Sequence, residues 1–229
     1  MTKHTNTRPN IPILYEDNHL LVIDKPIDVL SQEDHSKDAD VLTLCKSYIK
    51  KAYNKPGNVF LGLVHRLDRP VSGVMVLAKT SKAASRLSEQ VRNRSFKKTY
   101  WAIVEGQTEN EGRWIHHLHK DKKTNTVKAY NSDKGFTKKA ELTFTTLKQS
   151  KDYSLVEVDL LTGRPHQIRV QFAKMGHPLW GDTKYGSTVK HQSLALRSMN
   201  IGITHPTQKE ALSFDASVPK QQPWNMFEY

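Results

Sequence analysis

One carboxylate set among arginines is the most reactive arrangement in this chain of 229 residues: His65-Arg66-Leu67-Asp68-Arg69-Pro70-Val71-Ser72-Gly73. Neighbouring positive charge favours the ionised form of an aspartate, and an ionised aspartate on a loop can act as a nucleophile. The same spacing suits a structural ion pair beside a turn, and the residues alone leave both readings open. A hydrolase using Asp68 with His65 or His166 is a further reading, but no spacing pairs either histidine with it. His116, His117 and His119 form the one group resembling metal ligands. On a strand His117 and His119 would share a face. No cysteine or carboxylate stands nearby at ligand spacing, so these are read as surface histidines and no metal is expected. Phosphate-cradling Gly-x-x-x-x-Gly-Lys-Ser/Thr and metal-binding His-Glu-x-x-His motifs are absent.

The elements around Asp68 must hold its loop. Phe60–Val64 and Val74–Ala78 are short apolar runs, each predicting a buried strand, and Pro70 and Gly73 punctuate a rigid connection between them. Upstream, Ile13–Tyr15 and His19–Ile23 flank Asp17-Asn18 as a hairpin that Lys25-Pro26 ends. Gln32–Asp40 reads as an exposed loop, and Val41 opens a helix with Leu44, Tyr48 and Ile49 at helical spacing. Thr80-Ser81 predicts a cap for a second helix with Ala84, Leu87 and Val91 as its apolar stripe. Its basic residues Lys82, Arg86 and Arg92 run on into Arg94 and Lys97-Lys98, either a phosphate contact or a solvated face.

Tyr100–Val104 is apolar on both faces, as a central strand should be. Trp114–His119 and Thr126–Tyr130 are short strands. Leu142, Phe144 and Thr146 alternate, as do Val156, Val158 and Leu160, around a turn at Gln149–Asp152. Gly163-Arg164-Pro165 predicts a helix start with proline in the first turn, a buried stripe of Ile168, Phe172 and Met175, and a stop at Gly176-His177-Pro178. Leu194–Arg197, Asn200–Ile203 and Glu210–Phe214 supply the last strands.

Lysine and arginine number 35 against 23 aspartates and glutamates, a net charge of +12. That balance predicts a polyanionic partner, because each cation placed on a phosphate releases a counterion. Cys45, the only cysteine, excludes an intramolecular disulfide and reads as a core thiol. No secretory signal and no run of about 18 apolar residues appears, so a cytoplasmic protein without a membrane span is expected.

The motif at residues 65–73 resembles the central motif of the RluA-type RNA pseudouridine synthases. Two further blocks follow in that family's order: Phe96-Lys97-Lys98-Thr99-Tyr100-Trp101-Ala102-Ile103-Val104-Glu105-Gly106 and Leu161-Thr162-Gly163-Arg164-Pro165-His166-Gln167-Ile168-Arg169-Val170. The likeness runs from about Ile13 to about Leu212. It implies an α+β fold, a mixed and mainly antiparallel central sheet with flanking helices. It also implies an isomerase that converts uridine in structured ribosomal or transfer RNA to pseudouridine without a cofactor. By resemblance Asp68 is the nucleophile, Tyr100 the family's aromatic residue and Arg169 the partner of Asp68. Attack at C1′ or C6 and a glycal route are all open to an aspartate. A target uridine must be flipped out, and the Arg66 guanidinium suits the gap it leaves. Residues 1–10 are expected to be a flexible arm and 11–229 one catalytic domain that acts as a monomer, with no room for the S4-like RNA-binding domain that members often carry. Pro165 and Gln171 depart from the family's usual threonine and histidine. The rival reading is a catalytically silent RNA-binding module of the same fold.

Overall fold

A computed structural model describes residues 11–190 and 192–227, so the arm expected over 1–10 lies outside the described residues. Asp17 makes the first turn. Its Oδ1 accepts the His19 and Leu20 N–H groups at 2.6 Å each, folding β1 (Ile13–Glu16) antiparallel to β2 (Leu20–Lys25). Asp40 caps α1 (Val41–Ala52) by accepting from Thr43. Next come β3 (Gly62–Leu63), β4 (Ser72–Ala78) and α2 (Ser81–Arg92), the last capped by Thr80 as its sequence predicts. β3 is shorter than its apolar run because only Gly62 and Leu63 find partners, at Ala78 and Leu77 of β4.

The central strands follow as β5 (Lys97–Glu105), β6 (Glu111–Asp121), β7 (Thr126–Tyr130), β8 (Lys138–Gln149) and β9 (Tyr153–Leu160). Then come α3 (Gln167–Lys174), a 3-10 turn at Thr183–Tyr185, β10 (Leu196–Thr204) and β11 (Ala211–Asp215). The strands make one sheet in the order β1-β2-β4-β10-β5-β9-β8-β6-β7, with β11 beside β10 and β3 beside β4. Only the pairing of β10 with β4 is parallel among the named strand pairs, so the expected mixed, mainly antiparallel α+β architecture is what forms.

β10 comes late in the chain yet inserts between β4 and β5. Its parallel pairing covers Arg197↔Ser72 and Ser198↔Gly73. Gly73 has φ +113°, and a Cβ there would lie 2.2 Å from the Ser198 carbonyl oxygen, so no other residue fits. Arg197 locks the same junction, with hydrogen bonds to Asp24 Oδ2 (2.5 Å), Ser72 Oγ (3.0 Å) and the Ser217 carbonyl (3.0 Å). The start of β4, and with it the end of the Asp68 loop, is thereby fixed.

Both sheet faces are covered. On one face Leu21, Met75 and Val158 pack with Val41, Cys45, Ile49, Ile168 and Phe172 of α1 and α3. On the other, Val22, Val76 and Ile201 pack with Ala83 and Leu87 of α2. Two-sided burial explains the unbroken apolar runs of the central strands. Cys45 is a core thiol as read, and burial pushes it up to about 12.

Several local expectations fail: the short strand expected over Trp114–His119 is the eleven-residue β6, and Asp40, at the end of the loop read as exposed, is buried. Leu194–Arg197 and Asn200–Ile203 are one strand, β10, whose alternation is broken by an irregularity between Ser198 and Asn200 in its pairing with β5. α3 begins at Gln167, past Pro165, because Gln167 Oε1 accepts the Arg164 N–H (3.0 Å) and the Thr162 hydroxyl (2.8 Å) and so closes the turn before it. Met175 ends that helix exposed; instead Gln167–Phe172 are all buried, since α3 packs against β6, β7 and the 3-10 turn.

Candidate active site

A cleft of about 950 Å³ brings together Arg66, Asp68, Tyr100 and Arg169, all four of the predicted site residues. Its volume lies near the upper end of ligand sites, roughly 300–1,000 Å³. Cations from four regions line it: Arg66 and Arg69, Lys98, Lys120, and the stretch holding Arg164 and Lys184.

The Asp68 loop is held from beneath. Buried Leu67 and Val71 flank the aspartate, and the Ser31 hydroxyl donates to the Leu67 carbonyl (2.6 Å) while accepting the Leu67 N–H (3.2 Å). Lys25, fully buried, donates to the carbonyls of Val29 (2.6 Å), Pro26 (3.0 Å) and Arg69 (3.1 Å). Burial lowers its ammonium to about 8, with Asp28 and Asp68 opposing that shift. The Asp68 side chain is left 32% exposed, turned toward the cleft. Its sequence neighbours do not pair with it. Arg69 pairs with Asp38 at 2.8 Å, and Arg66 Nη1 reaches Gln32 Oε1 at 3.5 Å, so the carboxylate between two arginines is an arrangement of sequence rather than of space.

Its nearest partners come from α3 and the residue just before it. Arg169 Nη1 lies 3.5 Å from Asp68 Oδ2, and His166 Nε2 lies 3.8 Å from the same oxygen. The closer partner of Arg169 is Asp182, bound through Nε (2.6 Å) and Nη2 (2.7 Å). Burial alone would lower the guanidinium pKa, and the two-pronged Asp182 contact raises it above the ordinary value. Sequence reading missed Asp182. A signal existed in the glycine before it: Gly181 has φ +76°, and a Cβ there would lie 2.6 Å from the Ser193 carbonyl oxygen.

Tyr100 is buried on β5, and burial with the nearby Asp68 carboxylate raises its phenol pKa. The phenol is therefore protonated at neutral pH. His65 Nε2 accepts the Val76 N–H at 2.9 Å and its ring packs on Phe96. Burial lowers it to about 3, so it is a neutral brace rather than a base for Asp68. His116 is not a surface histidine: it is buried, with Nδ1 accepting from Gln171 Nε2 at 3.0 Å.

Residues 19–174 match the family model described as RNA pseudouridylate synthase. The chain belongs to the RNA pseudouridine synthases of the RluA type. A ribosomal large subunit pseudouridine synthase D of Zymomonas mobilis is 33% identical, covering 94% of this chain and 72% of its own length. A ribosomal large subunit pseudouridine synthase C of Vibrio vulnificus is 30% identical, covering 91% of this chain and 66% of its own length. The chain thus spans about two thirds to three quarters of these relatives. The solved human RNA pseudouridylate synthase domain containing 4 shares the fold, with a TM-score of 0.76 at 22% identity over 91% of this chain and 89% of that one. By family this pseudouridine synthase is an isomerase acting on RNA, which sets aside the silent-module reading. Among the described residues, no helix is long and apolar enough to cross a membrane.

Proposed function

We propose that Asp68 is the nucleophile with which this pseudouridine synthase isomerises a flipped uridine of structured RNA. The observation that carries this reading is a carboxylate about one third exposed in a cationic cleft, opposite a guanidinium already satisfied by another acid. The reaction breaks the C1′–N1 bond and forms C1′–C5, and the proton lost from C5 balances the one gained at N1. No electron is transferred, so no cofactor or metal is needed. Arg169 orients Asp68, Tyr100 stacks on the base as a neutral phenol, and Arg66 at the cleft mouth fills the gap in the RNA. Residues 11–229 serve as one catalytic domain, supported by a single sheet with strands from Ile13 to Asp215. It works as a monomer whose one cleft holds the nucleophile, its arginine and the aromatic residue together, and in the cytoplasm, in keeping with relatives named for the large ribosomal subunit. The names of the relatives favour ribosomal RNA over transfer RNA as the target.

The test is tritium release from [5-³H]uridine-labelled RNA. Asp68→Asn should release none above background while still binding RNA; turnover by that variant, free of wild-type enzyme, removes Asp68 from its role. RNA affinity should also fall with salt. If three to six cleft cations meet phosphates of a single strand, Kd should rise roughly 20- to 340-fold between about 50 and 200 mM salt. A flat dependence breaks the electrostatic account of the cleft.

A further inference from the structure

Both N–H-bearing neighbours of Asp68 are braced by one residue, Tyr185. The Arg169 guanidinium sits 5.1 Å from the centroid of the Tyr185 ring, within cation–π range. The Tyr185 hydroxyl lies 2.6 Å from His166 Nδ1 and accepts the Val127 N–H at 2.9 Å. A phenol carries a single hydrogen. With the amide of Val127 already pointing at its oxygen, that hydrogen has His166 Nδ1 as its partner within reach, an arrangement that makes Nδ1 the lone-pair nitrogen of the ring. A neutral imidazole keeps its proton on the other nitrogen, so it is Nε2–H that faces Asp68.

The groups around this ring agree with a neutral imidazole. Burial lowers its pKa, Asp68 opposes the shift, and Arg169, Lys184 and Lys120 reinforce it. Its backbone is held in the left-handed region at φ +52°, a strained conformation for a residue with a side chain, and its side chain makes no capping hydrogen bond in return. What the strain accompanies is a ring placed between Tyr185 and Asp68. Tyr185 is tied in turn to the β6–β7 hairpin, through Val127 and through a hydrogen bond from Lys184 Nζ to the Asn125 carbonyl at 3.1 Å.

We propose that Tyr185 is a positioning residue for the isomerisation. Its hydroxyl sets His166 as the Nε2–H tautomer and its ring steadies Arg169, so that two donors meet the Asp68 carboxylate at fixed places. This rests on the reading of Asp68 as nucleophile, and no proton or group is transferred through Tyr185.

Tyr185→Phe removes the oxygen and keeps the ring. Nitrogen-15 NMR of the RNA-free protein reads which His166 nitrogen carries the hydrogen. Wild type should show a single Nε2–H tautomer and Tyr185→Phe a mixture. The variant should lose about tenfold in kcat, the scale of one neutral hydrogen bond, with KM for RNA within about twofold of wild type. The acid limb of its pH profile should move to higher pH, because a nitrogen without a donor is easier to protonate. His166→Gln retains a side-chain donor and has no tautomer to set, so adding Tyr185→Phe to it should cost no more than about twofold. A wild-type Nδ1–H tautomer, or a Tyr185→Phe enzyme with unchanged kcat and pH profile, overturns the proposal; should the variant not fold, the wild-type tautomer alone decides. Turnover by Asp68→Asn would instead remove the underlying reading, and the NMR result is independent of it.

Discussion

Two acidic regions face the one guanidinium of Arg169, and the fold treats them oppositely. Asp182, in the turn after α3, has a side chain 1% exposed and makes two short bonds to Nε and Nη2. Asp68, on the loop before β4, has a single contact of 3.5 Å to Nη1 and is 32% exposed. A buried guanidinium left unpaired would be costly, and Asp182 offsets that cost in full view of the carboxylate beside it. Asp68 is thereby spared the structural duty. Its oxygens keep lone pairs that a two-pronged pair would have occupied. One acid holds the cation in place, and the other is free to react near it.

Exchanging the duties of the two acids by mutation tests this contrast. The largest effect on turnover belongs to Asp68→Asn, which should abolish tritium release and change Tm by no more than about 2 °C, as expected for a partly exposed group. Asp182→Asn should do the reverse in stability. Breaking a buried pair from one side costs about 3 kcal/mol, which in a domain of this size lowers Tm by roughly 6–12 °C, and turnover should fall as Arg169 loses its place. Equal melting temperatures for these two variants would break the comparison. Arg169→Met should lose about 100-fold in kcat, the scale of removing one preorganised donor, and Arg169→Lys should retain more because the charge survives without the fork. Full activity of Arg169→Met would make the arginine a bystander.

The smallest effect concerns the support beneath Asp68. Lys25 titrates near 8 in the fold against about 10.5 in an unfolded chain. Between those values the unfolded chain holds a proton that the folded protein has released, so stability from this group rises with pH across the window. Over those roughly 2.5 pH units the gain is at most about 3 kcal/mol. Denaturant titrations of wild type and Lys25→Met should therefore diverge in favour of wild type between about pH 8 and 10.5. Parallel curves would mean that the ammonium is not desolvated.

The residues that were legible in the sequence are those whose duties are local. Thr80 caps α2 by accepting the N–H three residues on, and Pro70 and Gly73 close a loop between neighbouring strands, whereas Asp40, read as the end of an exposed loop, is a buried cap of α1. Tyr100 and Arg169 became candidates only through resemblance, since nothing near them in sequence marks them. Arg66 and Arg69 misled because charge is read along the chain, whereas the loop turns both away toward Gln32 and Asp38. Asp182 and Lys25 were missed for the opposite reason. A buried charge contradicts the ordinary preference of its residue type, and its partners are supplied by backbone carbonyls or a helix that only the tertiary fold delivers. His116 follows the same rule, made a core residue by Gln171.

The position of β10 bears on how such a protein comes off the ribosome. The strands β1, β2 and β4, with the Asp68 loop, pair among themselves, as do β5 to β9, which carry Tyr100. Among the described strand pairs only β10 joins the two sets. A nascent chain that has reached Lys190 already contains the nucleophile, its arginine and the flanking acid, yet lacks the seam that brings them face to face. The reactive constellation closes only once β10 pairs with both sets, so a chain without that strand meets the RNA around it unarmed.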